Sequence, residues 1–339
     1  MVVMSETSSI PADYPPYDPI EWNWDGHVQT LLSKLAPPEE NLDDWPPREV
    51  KIPLGEQSDG QLLTLLHDPE SSEGPLVVLL HGLGGDGDSD YVRSCAQSLL
   101  EHSMAVLRVN FRGCGGGKEL CQGVHHPDRV ADLKLLVDYL ESAEEGRLAR
   151  NGLLLVGLSL GGNQLLRYLA DHETGSSVIG AVSVSAPLDL AACSRWLHEL
   201  DNRGYEWYVL EKLRNQALRD GAALNDQQRE RIEAAQSLWQ LDESFTAPYC
   251  GYDDVEQYYR ANSATSALAA VDIPTLLIYA QDDPFVPAES YDGIDEKISD
   301  SITPLIVPQG GHVGFNDQNE SPWHHRCIAH FARTLSGDT

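Results

Sequence analysis

The sequence predicts an α/β fold in which a mostly parallel, doubly wound sheet carries a helical cap insertion. Three short apolar runs, at residues 77–80, 153–156 and 276–278, are typical of strands that helices cover on both faces. Helical patterns alternate with these runs along most of the chain, which favours right-handed crossovers and a parallel sheet. Hydrophobic residues make up 41% of the chain, which is sufficient for a buried sheet of this kind.

The elements follow one another in a regular order up to residue 188. Pro127 suits the first turn of a helix, where its missing N–H is harmless, so we expect a helix to begin near it. The predicted order is strands at 50–54, 62–67 and 75–80, a helix at 91–101, a strand at 105–110, a helix at 127–140, a strand at 153–156, a helix at 164–170 and a strand at 178–185, with further strands at 276–278 and 305–307.

The alternation stops in residues 189–266, where only helical patterns occur. We therefore expect residues 189–266 to form a helical cap inserted into an α/β core made of residues 49–188 and 267–339. Residues 1–48 are expected to form an N-terminal extension that packs on this core. No Ser/Gly-rich or Pro-rich linker divides the chain internally, which favours a single domain with a lid.

Ser159 lies in a Gly-x-Ser-x-Gly turn between a predicted strand and a helical pattern. The reversal of a strand into a helix needs small residues on both sides of the serine, and Gly157 and Gly161 supply them. A serine held there is exposed for nucleophilic attack, and the N–H groups after it face outward at a helix N-terminus. A structural serine at a glycine-rich strand end is the alternative that the pentapeptide alone leaves open.

A second glycine-rich turn follows the strand that ends in His81. We expect its loop to present the backbone N–H of Leu83, which would bind an oxyanion together with the N–H of Leu160, the residue after Ser159. A phosphate-binding loop is a poor fit, because the Gly-Lys-Ser/Thr ending is missing and three carboxylates that would repel phosphate follow: Asp86, Asp88 and Asp90.

Two later strands each lead into a loop that carries a candidate partner for Ser159. The first delivers Asp282 and Asp283 into a proline-rich turn, and the second is followed by glycines and His312. An imidazole there would act as the general base, and one of the two carboxylates would orient it.

Six motifs span nearly the whole chain, at residues 24–30, 81–85, 110–116, 157–162, 282–285 and 311–312. With these motifs the chain resembles an α/β-hydrolase, and more narrowly the YheT/EMB8-like group of esterases, which also contains lipid hydrolases of the ABHD1/2/3 type. The Gly-His-x-Gln-Thr piece at 26–30 and the Asn-Phe-Arg-Gly-Cys-Gly piece at 110–115 are the most typical of the group. His27 and Arg112 belong to these two motifs, and we assign them structural roles because loops that fix a backbone commonly carry such residues.

The resemblance implies a serine hydrolase that forms an acyl-enzyme on Ser159 and cleaves carboxylic esters with short or medium acyl chains, lipids being one source. Its triad would be Ser159, Asp283 and His312, because the family has its nucleophile, acid and base in this chain order. Asp283 is favoured because the family's acid loop usually places a proline four residues after the functional aspartate, and Pro287 fits. Asp282 stays the alternative.

Two further functions stay open from the sequence. An alcohol acyltransferase of the same fold would pass the acyl group to an alcohol instead of water, a choice that depends on water access and not on the triad. A catalytically silent α/β-hydrolase would use the pocket only to hold a ligand, although the intact serine, aspartate, histidine and glycines argue against it.

The net charge of the chain disfavours some classes of binding partner. There are 53 acidic and 23 basic side chains, a formal net charge of −30 that repels nucleic acid and anionic lipid head groups. We therefore expect a small-molecule or lipid-like ester as the partner and no nucleic acid. No His-Glu-x-x-His is present and adjacent histidine pairs do not readily share one ion, so we expect no metal and no cofactor.

The N-terminus predicts a cytoplasmic protein. It lacks the basic start and apolar stretch of a cleavable signal peptide, and no run of about 18 apolar residues predicts an integral membrane segment. Six cysteines without a C-x-x-C spacing are expected to be reduced thiols.

The excess of carboxylates also predicts a response to salt. Like charges on the surface repel one another, and added ions screen that repulsion. We expect the melting temperature to rise from low to moderate NaCl concentration, which a thermal unfolding series would measure. A flat or falling melting temperature would contradict this prediction.

Overall fold

The structure is a computed structural model that describes residues 10–19, 25–35, 41–55, 60–69, 72, 74–142, 150–171, 177–319 and 321–337. Within these residues one sheet is built from eight strands: β1 (Arg48–Pro53), β2 (Gln61–His67), β3 (Leu76–Leu80), β4 (Val106–Asn110), β5 (Leu153–Leu158), β6 (Val178–Val184), β7 (Thr275–Ala280) and β8 (Ile302–Val307).

Helices connect and cover these strands. The α-helices are α1 (Gly26–Leu35), α2 (Asp90–Glu101), α3 (Val130–Glu141), α4 (Leu160–Asp171), α5 (Leu190–His198), α6 (Arg203–Ala217), α7 (Asp226–Ala234), α8 (Leu238–Leu241), α9 (Ala247–Tyr249), α10 (Val255–Asn262) and α11 (Trp323–Ser336). A π-helix, Asp242–Thr246, joins α8 to α9. In the part of the chain that the structure describes, no helix has the length and apolar character needed to cross a bilayer.

The sheet order is β1-β2-β4-β3-β5-β6-β7-β8. β2 runs antiparallel to both of its neighbours, and all pairs from β4 to β8 are parallel. After β3 the chain first builds β4 on one side and then crosses over to build β5 on the other side. In open α/β sheets a crevice forms where the winding direction switches, at the carboxyl ends of the strands. Here the two strands at that point lead into the loop after His81 and into Ser159.

Both faces of the sheet are buried along its central strands, β3 to β7, whereas the edge strand β1 has exposed residues. In β3, Val78 and Leu80 belong to one apolar cluster, whereas Val77 and Leu79 belong to a second cluster on the opposite face. Helices α3 and α4 cover the first cluster, and α2 and α11 cover the second. Successive side chains of a strand point to opposite faces, so two-sided burial explains why these strands are continuous apolar runs.

The helices α5 to α10 and the π-helix lie between β6 and β7, within residues 189–266. Many of their buried side chains, among them Leu197, Val209, Ile232 and Phe245, form one apolar cluster with Val124, which lies outside the insertion. Leu83, in the loop after β3, packs against this cluster. The insertion is therefore held by apolar contacts that it shares with the core, and it lies at the edge of the sheet that carries Ser159.

Two elements differ from the sequence prediction. The helix expected from Pro127 begins at Val130, because side chains of α4 bind the carbonyl groups that precede it. The Gln164 amide donates to the His126 and Pro127 oxygens at 3.1 and 3.3 Å. Arg167 donates to the Pro127 oxygen at 2.9 Å. Helix α1 was not predicted.

Candidate active site

Ser159 stands alone between β5 and α4 with a positive φ of 56°. A non-glycine residue rarely adopts this conformation, and its neighbours must hold it there. The Ser159 N–H donates to the Val184 oxygen at 2.8 Å. A Cβ atom at Gly157 would lie 2.4 Å from the Gly161 oxygen, and one at Gly161 would lie 2.5 Å from the Leu80 oxygen. Both glycines are therefore required because the strand, the helix and β3 meet without room for a side chain.

The structure brings together the three side chains that the sequence predicts for the triad. His312 lies in the loop after β8, and its Nε2 is 2.9 Å from Ser159 Oγ. Its Nδ1 is 2.8 Å from Asp283 Oδ2. An imidazole that donates Nδ1–H to the carboxylate has a free Nε2 lone pair for the serine hydroxyl. This geometry can pass a proton from the serine to the imidazole.

The two adjacent aspartates occupy different environments. Asp283 is 2% exposed, and its Oδ1 accepts hydrogen bonds from the backbone amides of Phe285 and Val286 at 2.7 and 3.0 Å, leaving Oδ2 for His312. Asp282 instead accepts the Gly311 amide at 2.8 Å, and burial raises the pKa of its carboxyl. Asp283 contacts the imidazole, and Asp282 holds the backbone beside it.

The two predicted oxyanion donors lie on either side of Ser159. Leu160 is the first residue of α4, and Leu83 follows Gly82, where a Cβ atom would lie 2.9 Å from the Ser159 Cβ. No hydrogen bond leads from the Leu83 or the Leu160 amide to another described residue. Free amides at a helix N-terminus and in a loop pressed against the serine are suited to bind an oxyanion.

His81 holds the loop that carries Leu83. Its Nδ1 is 2.8 Å from the Gly82 oxygen, and its Nε2 accepts the Phe111 amide at 3.2 Å, so the ring bridges two loops in one neutral tautomer. Burial lowers the pKa of His81 to about 4, which keeps the ring neutral at physiological pH. His81 therefore contributes to the site by holding the backbone of the loop that carries Leu83.

His27 and Arg112, which belong to the two group-typical motifs, both contact other parts of the structure. Arg112 forms two hydrogen bonds with the buried Asp132 carboxylate, at 2.7 and 3.1 Å. The His27 ring stacks on Tyr205 of α6 with centroids 5.6 Å apart.

Sequence reasoning gave no site role to Phe285 or Thr30, although both contact His312. Phe285 stacks on its ring with centroids 4.3 Å apart, and Thr30 accepts its backbone amide at 2.8 Å. A signal for each was present, since Phe285 directly follows Asp282-Asp-Pro and Thr30 ends the Gly-His-x-Gln-Thr motif.

A cavity of about 430 Å³ opens at Ser159 and His312 and extends beneath residues 189–266. Most of its far wall is apolar, with Leu197, Leu213, Leu238, Leu241 and Phe245 among the lining residues. The wall also contains a polar group in which the Tyr259 hydroxyl donates to Asp242 at 2.7 Å and lies 3.1 Å from the Ser194 hydroxyl. Burial raises the pKa of Asp242 to about 6.

A family model described as the alpha/beta hydrolase fold matches residues 75–318. The chain belongs to this family. YheT of Escherichia coli strain K12, which is provisionally named an esterase, is 30% identical over 293 residues, covering 85% of this chain and 84% of that protein. Phospholipase ABHD3 of Mus musculus is 26% identical over 321 residues, covering 92% of this chain and 75% of that protein. The resemblance to the YheT/ABHD-type group is confirmed.

Solved structures agree on the fold. An esterase of Pyrococcus furiosus, Pf2001, superposes with a TM-score of 0.57 at 15% identity, covering 97% of this chain and all 100% of that one. A 2,6-dihydroxy-pseudo-oxynicotine hydrolase superposes with a TM-score of 0.54 at 16% identity, covering 91% of this chain and 71% of that one. The predicted fold class, a mostly parallel α/β-hydrolase sheet, is therefore confirmed.

The crowding at the serine turn gives a testable prediction. In Gly161→Ala the new Cβ atom would lie 2.5 and 2.8 Å from the Leu80 and His81 oxygens, so β3 and α4 must separate. We expect the unfolding free energy to fall by about 1–3 kcal/mol, the usual range for an overpacked site, as measured by urea unfolding. Gly204→Ala in α6 is the control, because no atom lies within 4 Å of a Cβ atom there. Equal stability of Gly161→Ala and the unmodified protein would contradict the prediction.

Proposed function

We propose that the protein is a serine hydrolase that cleaves carboxylic esters through an acyl-enzyme on Ser159. The observation that carries the proposal is the continuous hydrogen-bonded series from Ser159 Oγ through both nitrogens of His312 to Asp283. A buried carboxylate, an oriented imidazole and a strained serine in this order are the components of nucleophilic acyl transfer. Membership of the alpha/beta hydrolase family and the esterase and phospholipase relatives support the same reaction.

In the first half of the reaction His312 acts as base and then as acid. Nε2 takes the Ser159 proton while Oγ forms a bond to the ester carbonyl carbon. The imidazolium then gives that proton to the leaving alcohol oxygen as its bond to the carbonyl carbon breaks. Asp283 holds the imidazole in its tautomer and stabilises its positive charge. Water repeats the sequence on the acyl-enzyme, which releases the acid and restores the serine.

The Leu83 and Leu160 amides are proposed to bind the negative oxygen that develops on the carbonyl. Because both donors are backbone groups with fixed positions, they need little reorganisation when charge appears. The loss of one such donor typically costs about 100- to 1,000-fold in rate. His81 would support this role by holding the Gly82 carbonyl and the neighbouring loop.

We propose that residues 189–266 form the cap of this site and that its apolar wall receives the acyl chain. A volume of about 430 Å³ is within the usual range for small-molecule sites and suits short or medium chains. Lipid-derived esters are included in the proposed substrate class. A relative named monoacylglycerol lipase, from Saccharomyces cerevisiae, is 25% identical over 271 residues, which cover 76% of this chain and 59% of that protein.

Alcohol acyl transfer is the second candidate. It is favoured by a Saccharomyces cerevisiae relative named medium-chain fatty acid ethyl ester synthase/esterase 2, 26% identical over 282 residues, covering 76% of this chain and 61% of that protein. Both reactions share the acyl-enzyme and differ in what attacks it. Product analysis with added ethanol separates them: a predominant ethyl ester supports transfer, and free acid alone supports hydrolysis.

The nucleophile is tested with p-nitrophenyl esters of increasing acyl length. Ser159→Ala leaves the pocket but removes the attacking oxygen, so we expect kcat/KM to fall by about 10⁴-fold or more. A fluorophosphonate probe should label Ser159 in the unmodified protein and leave the variant unlabelled. Ser142→Ala, at the exposed end of α3, serves as the control and should keep both properties. If Ser159→Ala matches the unmodified protein, Ser159 is not the nucleophile, and a folded protein that the probe does not label favours silent ligand binding.

The choice of triad acid is tested by paired amide substitutions. Asp283→Asn replaces the carboxylate beside His312 Nδ1 and favours the wrong tautomer, so kcat should fall by about 10³- to 10⁴-fold with little change in KM. Asp282→Asn keeps an oxygen that can accept the Gly311 amide, so its kcat should stay within about tenfold of the unmodified value. Steady-state kinetics at pH 7–8 measure both. The reverse ranking would identify Asp282 as the acid.

A further inference from the structure

We propose that Gln29 and Thr30 of α1 are positioning residues for the His312 loop. The inference rests on the proposed function, because it assigns them a role in the proton transfer between Ser159 and His312. Residues 26–30 form the Gly-His-x-Gln-Thr motif, which supplies no residue of the triad. They also lie outside residues 75–318, the stretch that the family model matches.

Helix α1 buries two neighbouring polar residues and exposes the apolar residues on either side of them. Gln29 and Thr30 are 1% and 7% exposed, whereas Val28 and Leu31 are 36% and 41% exposed. An ordinary surface helix shows the opposite arrangement, since apolar burial drives its packing. Buried polar side chains cost free energy unless they are hydrogen-bonded. The partners of the hydrogen bonds that Gln29 and Thr30 make therefore indicate which part of the structure this helix stabilises.

Thr30 contacts the backbone of His312 itself. Its Oγ1 accepts the His312 N–H at 2.8 Å and donates to the Gly26 oxygen within α1 at 2.6 Å. The internal hydrogen bond fixes the rotamer of the threonine, so its oxygen is a fixed point for the histidine. Thr30 also lines the cavity beside Ser159 and His312.

Gln29 holds the same loop four residues further on. Its Oε1 accepts the Asn316 backbone amide at 3.0 Å and the Asn316 Nδ2 at 3.1 Å, and its Nε2 donates to the Asn316 oxygen at 3.1 Å. The Gln29 backbone oxygen accepts Asn316 Nδ2 at 3.3 Å. A single buried amide thus satisfies the backbone donor and acceptor of one loop residue, so α1 holds the loop at two points, His312 and Asn316.

The loop needs such restraint because its backbone is strained. Gly311, Val313 and Phe315 have φ values of 61°, 56° and 47°, and two of these residues are not glycine. Strained conformations persist only where surrounding contacts determine them. Two further contacts come from the sheet edge, where Asp282 accepts the Gly311 amide at 2.8 Å and Ser185 accepts the Val313 amide at 3.2 Å.

The start of α1 also touches the acid loop. A Cβ atom at Gly26 would lie 1.7 Å from the Asp282 oxygen, so the helix begins in direct contact with the residue before Asp283. Helix α1 therefore lies against the loops of both His312 and Asp283. The contacts of α1 with these loops therefore help to set the distance between His312 Nε2 and Ser159 Oγ. That distance matters because a displacement of about 1 Å in a reacting group can cost about 100-fold in rate.

The experiment compares Thr30→Val with Thr30→Ser. Valine has the shape of threonine without the oxygen, so the His312 amide loses its acceptor. We expect kcat on a p-nitrophenyl ester to fall 10- to 100-fold with KM changed less than threefold, and the serine variant to recover to within about threefold of the unmodified kcat. Thr64→Val is the matched control, because Thr64 is buried and donates to the Val50 oxygen at 2.9 Å in β2. It should lose stability and keep its kcat.

The ring ¹⁵N signals of His312 give a readout that does not depend on turnover. In the unmodified protein we expect one tautomer, protonated on Nδ1, and in Thr30→Val an exchange-broadened or mixed state. Gln29→Met removes the side-chain amide that binds the Asn316 N–H, oxygen and Nδ2. It should lower kcat at least tenfold, which covers the case in which Thr30→Val does not fold.

Any one of three results would overturn the proposal. In the first, Thr30→Val keeps a kcat close to the unmodified value and only loses stability, as Thr64→Val does. In the second, kcat does not recover in Thr30→Ser, and in the third, the ring ¹⁵N spectrum of His312 is unchanged in Thr30→Val. A different pattern indicates failure of the proposed function instead. In that case the unmodified protein neither hydrolyses esters nor is labelled on Ser159, and the His312 spectrum alone decides whether α1 positions the ring.

Discussion

The hydrogen bond between His312 Nε2 and Ser159 Oγ is the contact on which the whole site depends. It joins residues 153 positions apart, from two loops that leave the sheet at different strands. A contact over such a separation exists because the parallel strands end at one edge of the sheet and the winding direction switches between the neighbouring strands β3 and β5. The serine turn and the strained histidine loop are costly features, and the packing of the sheet supports them.

His81 and His312 differ in what their surroundings allow an imidazole to do. His81 is fully buried, and its lowered pKa keeps a neutral ring between the Gly82 oxygen and the Phe111 amide. His312 is partly open to the cavity and has a carboxylate on one nitrogen and a hydroxyl on the other. The first ring can only hold backbone in place, whereas the second can accept and release a proton.

The insertion and the core are joined by polar as well as apolar contacts. Arg219, which follows α6, donates to the backbone oxygens of Lys118, Cys121 and Gly123 at 3.0, 3.1 and 2.8 Å. A guanidinium has several donors in a fixed plane, so one side chain can hold three carbonyl groups of a neighbouring loop. This contact fixes the insertion beside the loop that follows β4, next to the cavity, and so helps to set the shape of the proposed acyl pocket.

Local pattern was enough to predict the strands, the serine turn and the two later loops that carry the aspartate pair and His312, whereas the preference for Asp283 came from the family resemblance. Two-sided burial makes strands such as β3 and β5 continuous apolar runs, and the glycines around Ser159 follow from the steric limits of a tight strand-to-helix turn. These properties depend on neighbours in the chain, so they can be read along it. The membership of the alpha/beta hydrolase family then agrees with the predicted fold.

Other features depended on contacts between distant residues. Which of two adjacent aspartates faces the imidazole depends on backbone amides that bind the other oxygens of each carboxylate. The burial of Gln29 and Thr30, against the apolar pattern of their own helix, depends on a loop 282 residues away from Thr30. Such hydrogen bonds produce no periodic pattern in the sequence, because only folding brings their partners within hydrogen-bonding distance.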